Sequence, residues 1–329
     1  MLRILHDTNY DFIRWWKVMA AITVAFIVLG LGSLAVKKPN LSIEFTGGTL
    51  MQIEFVQPPD LGVVRSTLDA AGIAGTEIQQ FGTNREFTVR AQNAREIAAQ
   101  SKGAENVAVR IEQVLKQKFG ANALRVVRTE AVGPRVGSEL ARGAVTAILL
   151  SFLITLVYLA IRFEWRFGTA AVIATSHDVF TTIAFLKLMH LEISLTVVAG
   201  LLTVLGYSLN DTIIIFDRVR ENLRKGRKES LYETLNRSIN ETLPRSILTH
   251  ATAFAATLAL LFFAGEVIRP FAWVMAFGIV TGTFSSIYVA APVLLWIERK
   301  WPRQTGARQS SSTATPTSRT RRSPATATR

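Results

Sequence analysis

A stretch of about a hundred mostly polar residues, Lys37–Leu140, separates one long apolar segment from five more, and this layout limits the possible folds more than any other feature. The segment before it, Val18–Val36, holds no charged residue. A helix of about 20 apolar residues matches the ~30 Å hydrocarbon core of a bilayer, so Val18–Val36 is predicted to cross a membrane. Further spans are predicted at Gly143–Ile161, Gly168–Met189, Leu195–Phe216, Ser246–Ala264 and Phe271–Ile297. One span, a polar domain and five more spans predict a polytopic α-helical membrane protein. Trp15, Trp16 and Lys17 precede the first span, which exceeds the roughly 7–15-residue apolar core of a signal peptide. It is expected to be a retained anchor.

The chain has no cysteine, which excludes disulfides, thiolate metal sites and a cysteine nucleophile. Its net charge of +13 is unevenly placed. Met1–Lys17 holds three Lys/Arg, Arg162–Phe167 two, Asp217–Arg245 eight and Arg299–Arg329 eight. All four segments fall on one side if six spans alternate. Lys37–Leu140 is nearly neutral, with thirteen Lys/Arg against eleven Asp/Glu. The positive-inside rule then places both termini in the cytosol and the large domain outside. Topology and contact with lipid headgroups explain the basic segments; no nucleic-acid partner is expected. The expected divisions are a cytosolic N-terminus 1–17, a first span 18–36, an outer domain 37–140, a five-helix bundle 141–298 with a cytosolic loop 217–245, and a basic tail 299–329. From Pro302 the tail lacks apolar periodicity and is expected to be disordered.

Within the outer domain, Leu41–Phe45 and Thr49–Val56 read as strands joined at Gly47-Gly48. Asp60–Ala71 reads as a helix closed by Gly72, Glu77–Phe81 and Glu86–Ala91 as strands, Glu105–Phe119 as a helix, and Leu124–Ala131 as a last strand. The order strand, helix, strand, strand, helix, strand is that of a ferredoxin-like α+β domain, here with an extra strand at its entry. In the inner loop, Ser230 and Glu233 form a capping box. A short interfacial helix is expected there, the chain re-entering the membrane after Pro244.

Ionisable residues inside spans cost roughly 2.5–3.5 kcal/mol each on insertion scales and mark function by default. His177 and Asp178 lie in the third span and Asp211 in the fourth; Arg245 stands at the entrance of the fifth, with His250 five residues on. Tyr207 and Ser208 sit one turn before Asp211, while Arg245, Thr249, Thr252 and Ala256 form a second polar stripe. An Arg that approaches and leaves an Asp switches its protonation, the minimum for a proton or sodium relay; a static ion pair is the alternative. His177-Asp178 admits the same relay or a packing hydrogen bond. No HExxH, GxSxG or phosphate-binding glycine loop occurs, so neither an enzyme nor a metal site nor a cofactor is expected. Gly278 and Gly282 mark a close helix–helix face, either internal packing or a seat for a partner.

Several runs carry a family likeness: Phe45-Thr-Gly-Gly-Thr49, Val132-Gly-Pro-Arg-Val-Gly137, Arg162-Phe-Glu-Trp-Arg166, His177-Asp178, the run Gly206–Asn222 (GYSLNDTIIIFDRVREN), Asn236-Arg-Ser-Ile-Asn240 and Arg245-Ser246. Over about residues 7–300 the chain resembles the small-subunit branch of the SecD–SecF family, membrane subunits that assist Sec-dependent protein export. Leu41-Ser-Ile-Glu44 departs from the Gly-Ile-Asp usual before the FTGG run. The resemblance implies half of a transporter of the RND type, completed by SecD, in a bacterial inner membrane. It implies proton-motive-force-driven cycles, with H⁺ or Na⁺ as coupling ion, that pull a translocating unfolded polypeptide outward. The implied neighbours are the SecYEG channel, with YajC a further candidate. By motif match Asp211 and Arg245 fall at the family's relay carboxylate and its basic partner. Phe45, Gly47, Gly48, Gly206, Asn210, Asp217 and Arg218 belong to its motifs as structural or relay-supporting residues. Two other classes compete: a scaffold whose charges only hold a complex together, and a self-sufficient small-molecule exporter.

Overall fold

The structure, a computed structural model, describes residues 8–73, 75–91, 104–225, 229–265 and 267–302. The N-terminal residues 1–7 and the tail from 303, where disorder was expected, lie outside the described residues. Among the described residues, six helices are long and apolar enough to cross a membrane: Ile13–Ala35, Pro134–Arg162, Trp165–Leu188, Leu195–Arg224, Leu231–Phe263 and Arg269–Lys300. The chain is a polytopic helical membrane protein. The third, fourth and sixth spans make the interior of the bundle, and the first and second lie at its periphery.

Between the first two spans sits a small α+β unit. Its strands are β1 (Gly48–Phe55), β2 (Glu77–Gln80), β3 (Glu86–Ala91) and β4 (Leu124–Val132), with helices Leu61–Ala70 after β1 and Ala104–Phe119 after β3. The sheet order is β2-β3-β1-β4, all pairs antiparallel. Alternation in β1 sends Met51, Ile53 and Phe55 to one face. There they meet Val64 and Leu68 of the first helix and Val107, Ile111 and Leu115 of the second. Burying a large apolar side chain contributes about 1.5–3 kcal/mol, so this face holds the unit together. Asp60 caps the first helix through the Gly62 amide (2.7 Å), and Gly72 ends it at φ +79°.

Leu41–Phe45 is not a strand. Ile43–Thr46 forms a single helical turn, and Leu41 makes one parallel bridge to Ile193. Tertiary contacts override the β-like pattern: Ile43 is buried, and the Glu44 carboxylate accepts the Leu195 amide at 2.6 Å. The turn ends at Gly47, φ +72°. A Cβ on Gly47 would stand 2.9 Å from Pro134 Cα, and one on Gly137 2.9 Å from the Gly47 nitrogen. The FTGG run therefore packs directly on the Gly133–Gly137 run, closing the α+β unit where it opens. The second span begins at Pro134, whose missing N–H costs nothing at a first helical position.

The fifth span is one helix from Leu231 to Phe263, not an interfacial helix followed by re-entry. Pro244 lies inside it, and the helix continues because Leu235, Ile239 and Leu243 are held in the core on the preceding turns. The expected capping box, Ser230 with Glu233, is present. The sixth span contains a π-helical stretch, Ser286–Ala290.

Candidate functional site

Small residues bring the third, fourth and sixth spans close enough for hydroxyls to reach one another. A Cβ on Gly278 would lie 2.2 Å from Val204 Cγ2, and one on Gly282 3.1 Å from Ser208 Cβ. That glycine face packs on the fourth span of the same chain. With no hydrophobic force between helices in lipid, such close approach is what holds them.

At this junction lies Asp178, 0% exposed. Its Oδ2 accepts hydrogen bonds from Ser208 Oγ of the fourth span and from Ser285 Oγ of the sixth, the latter at 2.7 Å. Its Oδ1 lies 3.1 Å from His177 Nδ1. His177 Nε2 is buried with no hydrogen-bond partner among the described residues. One turn beyond Ser208 is Asp211, 3% exposed. Ser246 Oγ of the fifth span donates to Asp211 Oδ1, while Oδ2 is buried with no hydrogen-bond partner among the described residues. Thr212 and Ser286 pair through their hydroxyls at 3.2 Å. The π-helical stretch starts at this Ser286, and such bulges are frequent at functional sites. His250, one turn past Ser246, is buried, its Nδ1 has no hydrogen-bond partner among the described residues, and its ring meets Tyr207 edge-on at 5.3 Å.

Two carboxylates thus sit in the apolar bundle, each met by a serine hydroxyl. A hydroxyl can donate to a carboxylate or turn and accept from a carboxylic acid, so these contacts tolerate both protonation states. Among the described residues, no three His, Asp or Glu side chains gather as metal ligands do.

Arg245 is exposed, and no ion pair between it and Asp211 is formed among the described residues; its neighbour Ser246 takes the carboxylate. Arg245, Thr249 and Thr252 lie on an exposed face of the fifth span, and Thr203, Gly206 and Asn210 on an exposed face of the fourth. The two faces flank a contact in which the Tyr207 hydroxyl donates to the Thr249 carbonyl at 3.3 Å.

Asp217 and Arg218 lie apart from the buried network. Asp217 stands 3.6 Å from Arg162, and Arg218 bonds Glu221 and Glu241, each at 2.6 Å. Sequence reasoning missed the role of Asn236 and Asn240. Asn240 exchanges two 2.9 Å hydrogen bonds with the Tyr10 backbone, and Asn236 accepts the Ile13 amide at 3.1 Å. The segment before the first span is thereby clasped to the start of the fifth. The link between the α+β unit and the fourth span was missed as well. Arg90, 5% exposed, reaches Glu192 at 3.4 Å and Asn40 Oδ1 at 3.3 Å. Ser42 and Ile193 pair at the backbone, 2.9 Å. Burial pushes the Glu192 carboxyl above its ordinary range, against the opposing pull of Arg90.

The sequence pattern described as "Protein export membrane protein SecD/SecF, C-terminal" matches residues 111–300, and the "SecD/SecF GG Motif" matches residues 32–59. The chain is 63% identical over 305 residues to the protein translocase subunit SecF of Gemmatimonas aurantiaca, covering 92% of this chain and 91% of that one. It is 39% identical over 296 residues to the SecF subunit of Vibrio alginolyticus, covering 90% and 92%. Among solved structures it is similar to SecDF, a translocon-associated membrane protein from Thermus thermophilus, with a TM-score of 0.77 and 34% identity. That match covers 91% of this chain and 40% of the SecDF chain, so the present chain spans well under half of its length.

Proposed function

The chain belongs to the SecD/SecF family of protein-export membrane proteins, and on that premise we propose that it is an ion-gradient-coupled accessory subunit of Sec-dependent export. It works beside SecD and next to the SecYEG channel, with YajC as a further neighbour, and acts on the unfolded polypeptide in transit. The observation that carries this reading is Asp211: a carboxylate 3% exposed, with one oxygen on Ser246 and the other unpartnered. Protonating it changes which groups it can bond, and the fourth span that carries it is tied at its first residue to the α+β unit through Glu44. A proton arriving from one side thus has a path to a shape change on the other.

The split arrangement of the α+β unit, with order β2-β3-β1-β4, supports a ferredoxin-like domain. The basic-residue distribution supports its extracytoplasmic placement, a bacterial inner-membrane location and cytosolic termini. The clasp of residues 10–13 on Asn236 and Asn240 supports placing the N-terminus and the inner loop on the same side. The exposed polar faces around Tyr207 and Thr249 supply SecD with a docking surface, since hydroxyls and an arginine facing lipid tails are costly. Arg245, standing on that surface, meets a relay carboxylate only when the complex is assembled or moves. This disfavours the static ion pair and the pure scaffold. A proton needs only a line of donors and acceptors, which the hydroxyl network provides, whereas sodium needs several oxygens around one point. We therefore assign H⁺ as the coupling ion, with no cofactor and no catalysis of its own. Proteoliposomes containing this chain and SecD, loaded with a pH-sensitive dye, test the assignment. Proton uptake that tracks an imposed pH gradient and ignores sodium is expected; a flux requiring sodium would overturn it.

A further inference from the structure

The Arg162-Phe-Glu-Trp-Arg166 run and Asp217-Arg218-Val-Arg220 stand outside the buried network, yet they build a defined cavity. It holds about 450 Å³ and is lined by Arg162, Asp217, Arg220, Glu221, Arg224 and Lys225. The Arg162 and Arg220 guanidiniums both stack on the ring of Phe163, at 5.2 and 5.1 Å from its centre. Two like charges held on one ring favour an anion beside them. The internal candidates fall short. One carboxylate, Asp217, is shared as an ion pair by both arginines, 3.6 Å from Arg162 and 4.0 Å from Arg220, and lies too far from either for a good hydrogen bond. Glu221 is taken by Lys225 at 2.8 Å and by Arg218 from outside the cavity at 2.6 Å. The lining keeps an excess of positive charge, with exposed Arg224 at its rim.

The cavity's level in the membrane follows from the helices. Arg162 ends the second span directly after membrane-facing Val157 and Ile161, which are 49% and 83% exposed. Trp165 and Trp301 meet edge-on at 6.0 Å at the same end, the signature of an interfacial belt. At 1.5 Å per residue, Arg220 lies about 6 Å past Phe216, within the headgroup layer.

We propose that this cavity binds the phosphate of an anionic phospholipid of the adjoining leaflet. Arg162 and Arg220 present paired N–H donors to the phosphate oxygens, the geometry guanidinium offers to phosphate. Exposed Arg224 adds further positive charge. The inference does not depend on the export function.

Full-length protein in nanodiscs of phosphatidylcholine mixed with phosphatidylglycerol tests it, with lipids retained after detergent washing counted by native mass spectrometry. Wild type is expected to retain phosphatidylglycerol about thirtyfold over phosphatidylcholine, and the Arg162→Gln/Arg220→Gln double variant to lose about that factor, since each interfacial cation is worth about fivefold. Arg65→Gln/Arg110→Gln, in the α+β unit, should behave as wild type. Arg162→Lys/Arg220→Lys should fall between, keeping charge but losing the two-point geometry. Wild type without preference between the two lipids would overturn the proposal whether or not the variants fold. Displacement of the lipid by millimolar inorganic phosphate would show that the site reads free phosphate, and would overturn the lipid assignment.

Discussion

Glu44 Oε2 accepts the backbone amide of Leu195 at 2.6 Å, so the first turn of the α+β unit caps the helix that carries Asp211. The same carboxylate oxygen accepts the Ser42 hydroxyl at 3.1 Å. A carboxylate at a helix N-terminus satisfies an orphan amide and opposes the helix dipole. Loss of such a cap costs about 1 kcal/mol. Glu44→Ala should therefore lower hydrogen-exchange protection of the Leu195–Val198 amides about fivefold, while Glu44→Gln, which keeps an acceptor, should lose less. Unchanged protection in Glu44→Ala would show that the contact carries no load.

Gly278 tests the packing beneath the network. Alanine there places a methyl 2.2 Å from Val204 Cγ2, which must move. We expect Gly278→Ala to destabilise the detergent-solubilised protein by about 1–3 kcal/mol. Val204→Ala in the same chain should restore most of it. Thermal unfolding of the single and double variants reads the coupling, and an absence of rescue would mean the two residues do not meet.

The N-terminal clasp should depend on pH. A hydrogen bond from the Tyr232 hydroxyl, at 2.5 Å, with help from Asn236, holds the Asp11 carboxyl below the ordinary aspartate value of 3.8. A carboxyl lowered in the folded state stabilises above the unfolded value and loses that contribution as pH falls through the folded one. Exchange of the Ile13 amide should thus rise relative to the rest of the first span below about pH 3.8, and Asp11→Asn should flatten that dependence. A profile identical in the two proteins would contradict the assignment.

Topology is accessible because the chain has no native cysteine. Ser66→Cys in the α+β unit should react with an impermeant thiol reagent on intact cells, and Ser230→Cys before the fifth span should not. Both positions are exposed, so the reverse pattern would invert the membrane orientation.

Much of this was legible in the sequence. Spans follow from uninterrupted apolar runs, and the α+β elements from period-2 and helical spacing. Asp178, Asp211 and the hydroxyl at Ser208 stood out because charge and polarity are rare at that depth. What the sequence hid depends on contacts far apart along the chain. Leu41–Phe45 alternates like a strand, but Ile43 is buried and Glu44 is bound at Leu195. Pro244 reads as a break, yet packing on the preceding turns carries the helix through it. Arg245 has the right spacing for Asp211, but the backbone turns Ser246 inward in its place. Asn236 and Asn240 stand in a recognisable run, but their hold on residues 10–13 stayed hidden, because those partners lie more than two hundred residues away.

The central claim is that Asp211 exchanges a proton during work. Asn keeps the shape and the hydrogen bond to Ser246 but cannot ionise. Arg245→Lys keeps charge without the planar two-point geometry, so partial function is expected from it and little from Arg245→Ala. The decisive measurement is late-stage export in membrane vesicles with SecD present, with and without a proton gradient, normalised to assembled complex. Asp211→Asn should assemble at wild-type abundance and lose the gradient-dependent part of export. A gradient response in Asp211→Asn equal to wild type would exclude Asp211 as the proton-carrying group.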